Sequence, residues 1–253
     1  MDGREEDRFR QAATRLGLEV RERSIAFVDR RVLVVRASRS QIERSVDLLD
    51  MMAELRRAKD SPSDFTQMHP REQKEWLADL LSRLEAPPAG SPAVCLLDHG
   101  LNSEHPLLAL ATTPEDVQAV DRRWSASDHS GHGTEMAGLA LYGDLHPLLG
   151  SRDPVVLEHR LESVKLVPAQ GQNHPDLYGA ITRDAIRLAE GSAPGRSRVA
   201  CMTVSSQEAR TQGKPSSWSA EIDALASGAD GDGERLVVVA AGNVEQVDWL
   251  EYP

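Results

Sequence analysis

The stretch "AVCLLD" (residues 93–98) runs five apolar residues straight into a carboxylate. Three later stretches have the same texture: "SVKLV" (163–167), "RVACMTV" (198–204) and "RLVVVAA" (235–241). Short, nearly continuous apolar runs are what strands become when both faces of a parallel sheet are covered. Between them lie "GTEMAGLALYG" (133–143), "LYGAITRDAIRLAEG" (177–191) and "SSWSAEIDALASG" (216–228), which read as helices. Alternating β and α of this kind predicts an α/β fold with a doubly wound, mostly parallel sheet. In such sheets the binding and catalytic groups lie just past the carboxyl ends of the strands.

Ahead of Ala93 the texture differs. "EEDRFRQAATRLG" (5–17) reads as a helix ended by Gly17, and "SIAFV" (24–28) and "RVLVVRAS" (31–38) as strands joined by Asp29-Arg30. "SRSQIERSVDLLDMMAELRRAKD" (38–60) reads as an amphipathic helix, with Ser40 and Glu43 spaced for a capping box. Its Ile42, Val46, Leu49, Met52 and Leu55 fall on one face. "HPREQKEWLADLLSRLEAPP" (69–88) is a further helix between Pro70 and Pro87. The expected organisation is a small N-terminal α/β module (1–59), a helical connector (60–92) and a larger α/β domain (93–253).

Composition limits the partners. Residues 1–92 carry 17 Lys+Arg and 17 Asp+Glu, leaving 12 and 23 for residues 93–253, which therefore hold the whole net charge of −11. The shift coincides with the Pro/Gly-rich "APPAGSP" (86–92). An acidic second half argues against nucleic acid as a partner, because phosphates need a basic face. No apolar run approaches the ~20 residues that span a bilayer, and the charged N-terminus lacks a secretory h-region. A cytoplasmic protein without membrane association is expected. Cys95 and Cys201 fall in strand-like runs and are expected to be free, structural thiols.

Three segments carry chemistry. Asp98 ends the first apolar run, where it is either an Asx-turn or a partnered carboxylate. His132 lies between Gly131 and Gly133, at the start of a helix beginning near Thr134; alone it is a loop histidine. Asn243 follows "LVVVAAG", as a turn residue or as a fixed neutral donor for an oxyanion.

Together these segments resemble the subtilisin-like serine proteases, the subtilases. That family places its catalytic Asp in Asp-Thr-Gly or Asp-Ser-Gly, matched by Asp98-His99-Gly100, with His105-Pro106 following. Its catalytic His lies in His-Gly-Thr, matched by His132-Gly133-Thr134 with Ala137-Gly138 after it. Its oxyanion Asn lies in Ala-Ala-Gly-Asn, matched by Ala240-Ala241-Gly242-Asn243. The resemblance covers roughly 93–253 and follows the chain order of subtilisin. It implies a serine endopeptidase acting on polypeptides, with Thr203, Val204 and Ser205 adding backbone hydrogen bonds to an extended substrate. His99 and Glu135 depart from the family's usual residues. The nucleophile's Gly-Thr-Ser occurs nowhere in the sequence, and neither Ser205 nor Ser219 is promoted in its place. The expectation is therefore an N-terminal part of a longer enzyme, inert by itself. Residues 1–92 match nothing in the family pattern; a propeptide-like role, or docking of a regulator such as an ATPase, is the expectation there.

Two other readings stand beside this one. A degenerate protease fold serving as a binding or regulatory module accounts for the missing serine. A zinc site through His129 and His132, with Asp98 or His99, is chemically suitable, but its ligands lie in a Gly/Ser loop rather than on a helix face. No cofactor is expected. Calcium is common in the family, but "DGDGE" (230–234) is too short a match to assign ligands. His69, His146, His159 and His174 carry no constellation.

Overall fold

Asp98 closes the central strand of a five-stranded parallel sheet in the computed structural model, which describes residues 4–43, 48, 50–56, 63–206, 214–229 and 231–242. The chain divides into two units, Met1–Asp64 and Phe65–Pro253.

In the first unit, helix α1 (Arg4–Arg15) is followed by an antiparallel hairpin, β1 (Glu19–Ala26) and β2 (Arg31–Arg36). Phe9 and Ala13 of α1 share a core with Leu18 and Leu48. Gly17 takes φ +71° where the chain leaves α1, a conformation that costs glycine little. Strand β1 begins five residues before the expected Ser24, and its register shifts between Val20 and Ser24. The charged "EVRER" concealed it, because a two-stranded sheet leaves one face in water. The helix expected over 38–60 is corrected at its C-terminal end: Arg39–Glu43 and Leu48 are helical, but residues 50–56 are turn and irregular chain. Val46 and Leu49 lie outside the described residues. Its cap is Ser38 rather than Ser40. The Ser38 amide donates to Gln41 Oε1 at 2.9 Å, and the Gln41 amide to Ser38 Oγ at 3.3 Å. Glu43 pairs instead with Arg39 at 2.7 Å.

The second unit opens with α2 (Pro70–Ser82), capped by His69. It stops short of the expected Pro87 because Leu84–Glu85 turns into a two-residue parallel pairing with Val155–Val156. The main sheet comprises β3 (Ala93–Asp98), β4 (Val117–Ala119), β5 (Arg160–Lys165), β6 (Arg198–Met202) and β7 (Leu236–Val239), in spatial order β4-β5-β3-β6-β7. Helices α3 (His132–Tyr142), α4 (Tyr178–Ser192) and α5 (Ser217–Ser227) connect them. Side-chain alternation along β3 divides the core. Cys95 and Leu97 pack with Ile186 and Ala189 of α4 and Leu225 of α5, while Leu96 packs with Ala137 and Leu141 of α3. Both faces are covered, which is why the run is apolar throughout. The two cysteines are free, and burial pushes both thiols up. Among the described residues no helix is long and apolar enough to cross a membrane.

One feature of the sheet was invisible in the sequence. Glu162, the third residue of β5, is 2% exposed. It accepts from Arg198 Nε at 2.9 Å and Arg196 Nη1 at 2.8 Å, and Arg196 also reaches Asp116 at 2.6 Å. Removing one member of such a buried set strands the others. Glu162→Ala is expected to cost about 3–5 kcal/mol. All four tryptophans lie beyond residue 64, so the midpoint of urea unfolding followed by tryptophan fluorescence reads the loss in this unit directly.

Candidate active site

The strand order creates the site. From β3 the chain crosses to β4 at one edge, returns through β5 beside β3, then proceeds to β6 and β7 on the other side. The crevice at such a switch lies outside the carboxyl end of the central strand, and Asp98 is the last residue of that strand.

Asp98 is fully buried and receives donors from several segments. With its proton on Nδ1, His132 donates to Oδ2 at 2.9 Å and Oδ1 at 3.0 Å. The His99 amide donates to Oδ1 at 2.6 Å, and the His99 ring Nδ1 stands 2.6 Å from the same oxygen. The Thr203 hydroxyl donates to Oδ2. Burial pushes this carboxyl up, but the bonds from Thr203, His132 and His99 outweigh it and hold it below the usual carboxylate range.

Two glycines bring His132 to that carboxylate. Gly133 lies so close to the Gly100 carbonyl that an alanine Cβ there would stand 2.1 Å from its oxygen. Gly100 itself has φ +108°, and a Cβ there would meet the Ala126 carbonyl at 2.4 Å. The loop before α3 is organised by Asp128. Its Oδ1 accepts from the Ser130 and Gly131 amides, each at 2.9 Å, and its Oδ2 from the Thr134 amide and hydroxyl, each at 2.8 Å. Burial raises the Asp128 carboxyl, yet these bonds bring it down to about 2. Lys165, at the end of β5, donates from Nζ to the Ser127 carbonyl at 2.8 Å, and burial lowers its pKa.

A buried carboxylate on a helix-terminal imidazole at the mouth of a parallel sheet has its counterpart in a family comparison. The subtilase family model matches residues 90–253. This chain belongs to the subtilase family of serine proteases. No curated protein and no solved structure matched it.

In this subtilase the expected site residues are distributed unevenly. Asp98 and His132 are in contact. Thr203 supports Asp98: its hydroxyl donates to the carboxylate, and its amide donates to the Leu97 carbonyl at 3.4 Å. Val204 and Ser205 line a cavity of about 400 Å³ with His99, Leu166, Tyr178, Ile181 and Trp218. Asn243 lies outside the described residues; Gly242 before it has φ +93°, and a Cβ there would be 3.9 Å from Ser205. Among the described residues one group has the donors and spacing for a metal ion: Asp98, His99 and His132. His129, expected beside His132, instead meets the His99 ring at a centroid distance of 5.4 Å.

Two positioning residues escaped the sequence reading. Lys165 carried a signal, because a lysine inside a buried strand is rare unless it is partnered. Asp128 carried a weaker one, an Asp a few residues ahead of a Gly-rich helix start.

The depressed Asp128 pKa fixes a sign. A carboxyl whose folded pKa is about 2 against an ordinary aspartate value of 3.8 stabilises the fold above pH ~4, by on the order of 2 kcal/mol or less. That contribution is lost as pH falls from about 4 through about 2. Asp128→Asn cannot offer acceptors on both sides of its amide. The variant is expected to be less stable at neutral pH, and its urea midpoint is expected to fall less steeply than the wild type's over that acid range.

Proposed function

We propose that this subtilase domain is the base-bearing part of a serine endopeptidase that hydrolyses peptide bonds by acyl transfer. The observation that carries the reading is the Asp98–His132 contact: a wholly buried carboxylate on Nδ1 of an imidazole whose side chain is 45% exposed. Asp98 holds the proton on Nδ1, which leaves the Nε2 lone pair free. His132 takes the proton of a serine hydroxyl as its oxygen attacks the carbonyl, then gives it to the departing amine. The carboxylate stabilises the imidazolium between those steps. Asn243 donates to the developing oxyanion, an interaction of roughly 3–4 kcal/mol in such sites. The approach of Gly242 to Ser205 supports that role by setting the preceding residue beside the cavity-lining segment.

The substrate is an extended polypeptide. Thr203–Ser205 follow β6 at its carboxyl end, where a peptide strand is added through backbone bonds, and the apolar cavity behind Val204 takes one of its side chains. The nucleophile is a serine outside these 253 residues, since no Gly-Thr-Ser occurs within them. Strand β7 supports further polypeptide packing there: Leu236, Val238 and Val239 are exposed on it at the sheet's edge.

A fluorophosphonate probe and a peptide substrate test the reading. The 253-residue chain is expected to show no labelling and no turnover. A chain extended through a Gly-Thr-Ser segment is expected to show both. In that chain His132→Ala is expected to lower kcat on the order of 10^6-fold, and Asp98→Asn about 10^4-fold. Labelling of the 253-residue chain, or full turnover by His132→Ala, would sink it.

A further inference from the structure

The base reading leaves His99 unexplained. A small hydroxyl residue after the aspartate is the pattern this sequence departs from, and in its place stands a second imidazole aimed at the same carboxylate. His99 Nδ1 lies 2.6 Å from Asp98 Oδ1, and His132 Nδ1 lies 3.0 Å from that oxygen. The two rings meet edge to face at 5.7 Å. One donor atom from each of the three residues lies within 4.8 Å of the other two. We infer that Asp98, His99 and His132 form a binding site for a divalent transition ion of the zinc, cobalt or nickel type, and that occupancy switches the hydrolytic base off.

The chemistry of the donors selects the ion. Two neutral imidazoles and one carboxylate suit zinc and its neighbours and do not suit the all-oxygen shells of calcium or magnesium. A tetrahedral ion with ligands at about 2.0–2.1 Å sets its ligand atoms about 3.3 Å apart. The present separations from the carboxylate, 2.6–3.0 Å, need to open by about 0.3–0.7 Å to reach that spacing. The carboxylate is held from below by Thr203, while both rings reach solvent and are free to make that adjustment: their side chains are 26% and 45% exposed. Water completes the shell from the exposed side.

Inhibition follows from one proton, and this half of the inference rests on the function proposed above. A neutral imidazole carries a single N–H. When the ion takes the Nδ1 lone pair of His132, that proton moves to Nε2, so the nitrogen that must accept the serine proton already holds one. The Nδ1–H bond is exchanged for an Nε2–H bond through solvent, so the ring stays neutral and no other covalent bond changes.

Cobalt titrated into the metal-stripped 253-residue chain tests the site without any need for activity. The wild type is expected to bind one ion with the visible bands of low-coordinate cobalt. His99→Ser and His132→Ala are each expected to weaken binding at least about 100-fold, with far-ultraviolet circular dichroism confirming the fold. A second readout needs no variant: zinc is expected to protect His99 and His132, but not His174, from diethyl pyrocarbonate as mapped by mass spectrometry. Absence of cobalt bands at millimolar ion, unchanged binding in His99→Ser, or equal modification with and without zinc would overturn the proposal. Cobalt bands in a chain whose serine-extended form hydrolyses nothing would uphold the site while refuting the hydrolytic reading.

Discussion

Everything at the mouth of the sheet depends on two backbones that almost touch. Gly133 sits where any Cβ would collide with the Gly100 carbonyl. That approach seats the first turn of α3 directly over the end of β3, so that His132 meets the side chain of Asp98 two residues before Gly100. A side chain at Gly133 would force the helix away from the end of β3, and one at Gly100 would push on the Ala126–Ser127 backbone of the loop that leads into it. The close packing is secured from the flanks. Asp128 binds the first turn of α3 through its amides, Thr134 accepts from the Asn102 amide at 3.2 Å, and Lys165 holds the Ser127 carbonyl. Loop, helix and strand are therefore tied by bonds that each have a backbone atom at one end, which fixes position more tightly than contacts between long side chains.

The framework follows from simple periodicity, whereas the two central residues were legible only through the resemblance of their motifs to the subtilase pattern. Nearly continuous apolar runs at 93, 163, 198 and 235 correspond to β3, β5, β6 and β7. The edge strand β4 was missed, since three residues with Gln118 in the middle give no pattern. Strand β5 begins at Arg160, three residues earlier than its apolar run suggests, because Glu162 is buried as an ion pair and so looks exposed when read alone. The same blindness hid Asp128, whose role depends on amides supplied by a particular turn. In the first unit the pattern overreaches: the amphipathic run after Ser38 predicts helix to residue 60, whereas residues 50–56 are turn and irregular chain. Periodicity is a good guide where tertiary burial reinforces it, and a 64-residue unit with a small core gives it less reinforcement.

A comparison of the two buried acids in the sheet shows why one end of it is structural and the other is suited to chemistry. Glu162 and Asp98 are both essentially without solvent. Glu162 is neutralised by full positive charges on Arg196 and Arg198. A carboxylate so compensated has no field left to place on a third group. Asp98, among the described residues, has no ion pair with lysine or arginine; its side-chain partners are a hydroxyl and two imidazoles. Neutral donors lower the cost of burying its charge without cancelling it. In the hydrolysis proposed above, the residual negative charge in a poorly screened site would favour a proton on Nδ1 of His132 and stabilise the imidazolium formed by proton transfer. It is equally what attracts a cation. The proposed base and the proposed metal site therefore have one electrostatic origin, and His99 supplies the additional nitrogen that distinguishes this carboxylate from one with a single imidazole.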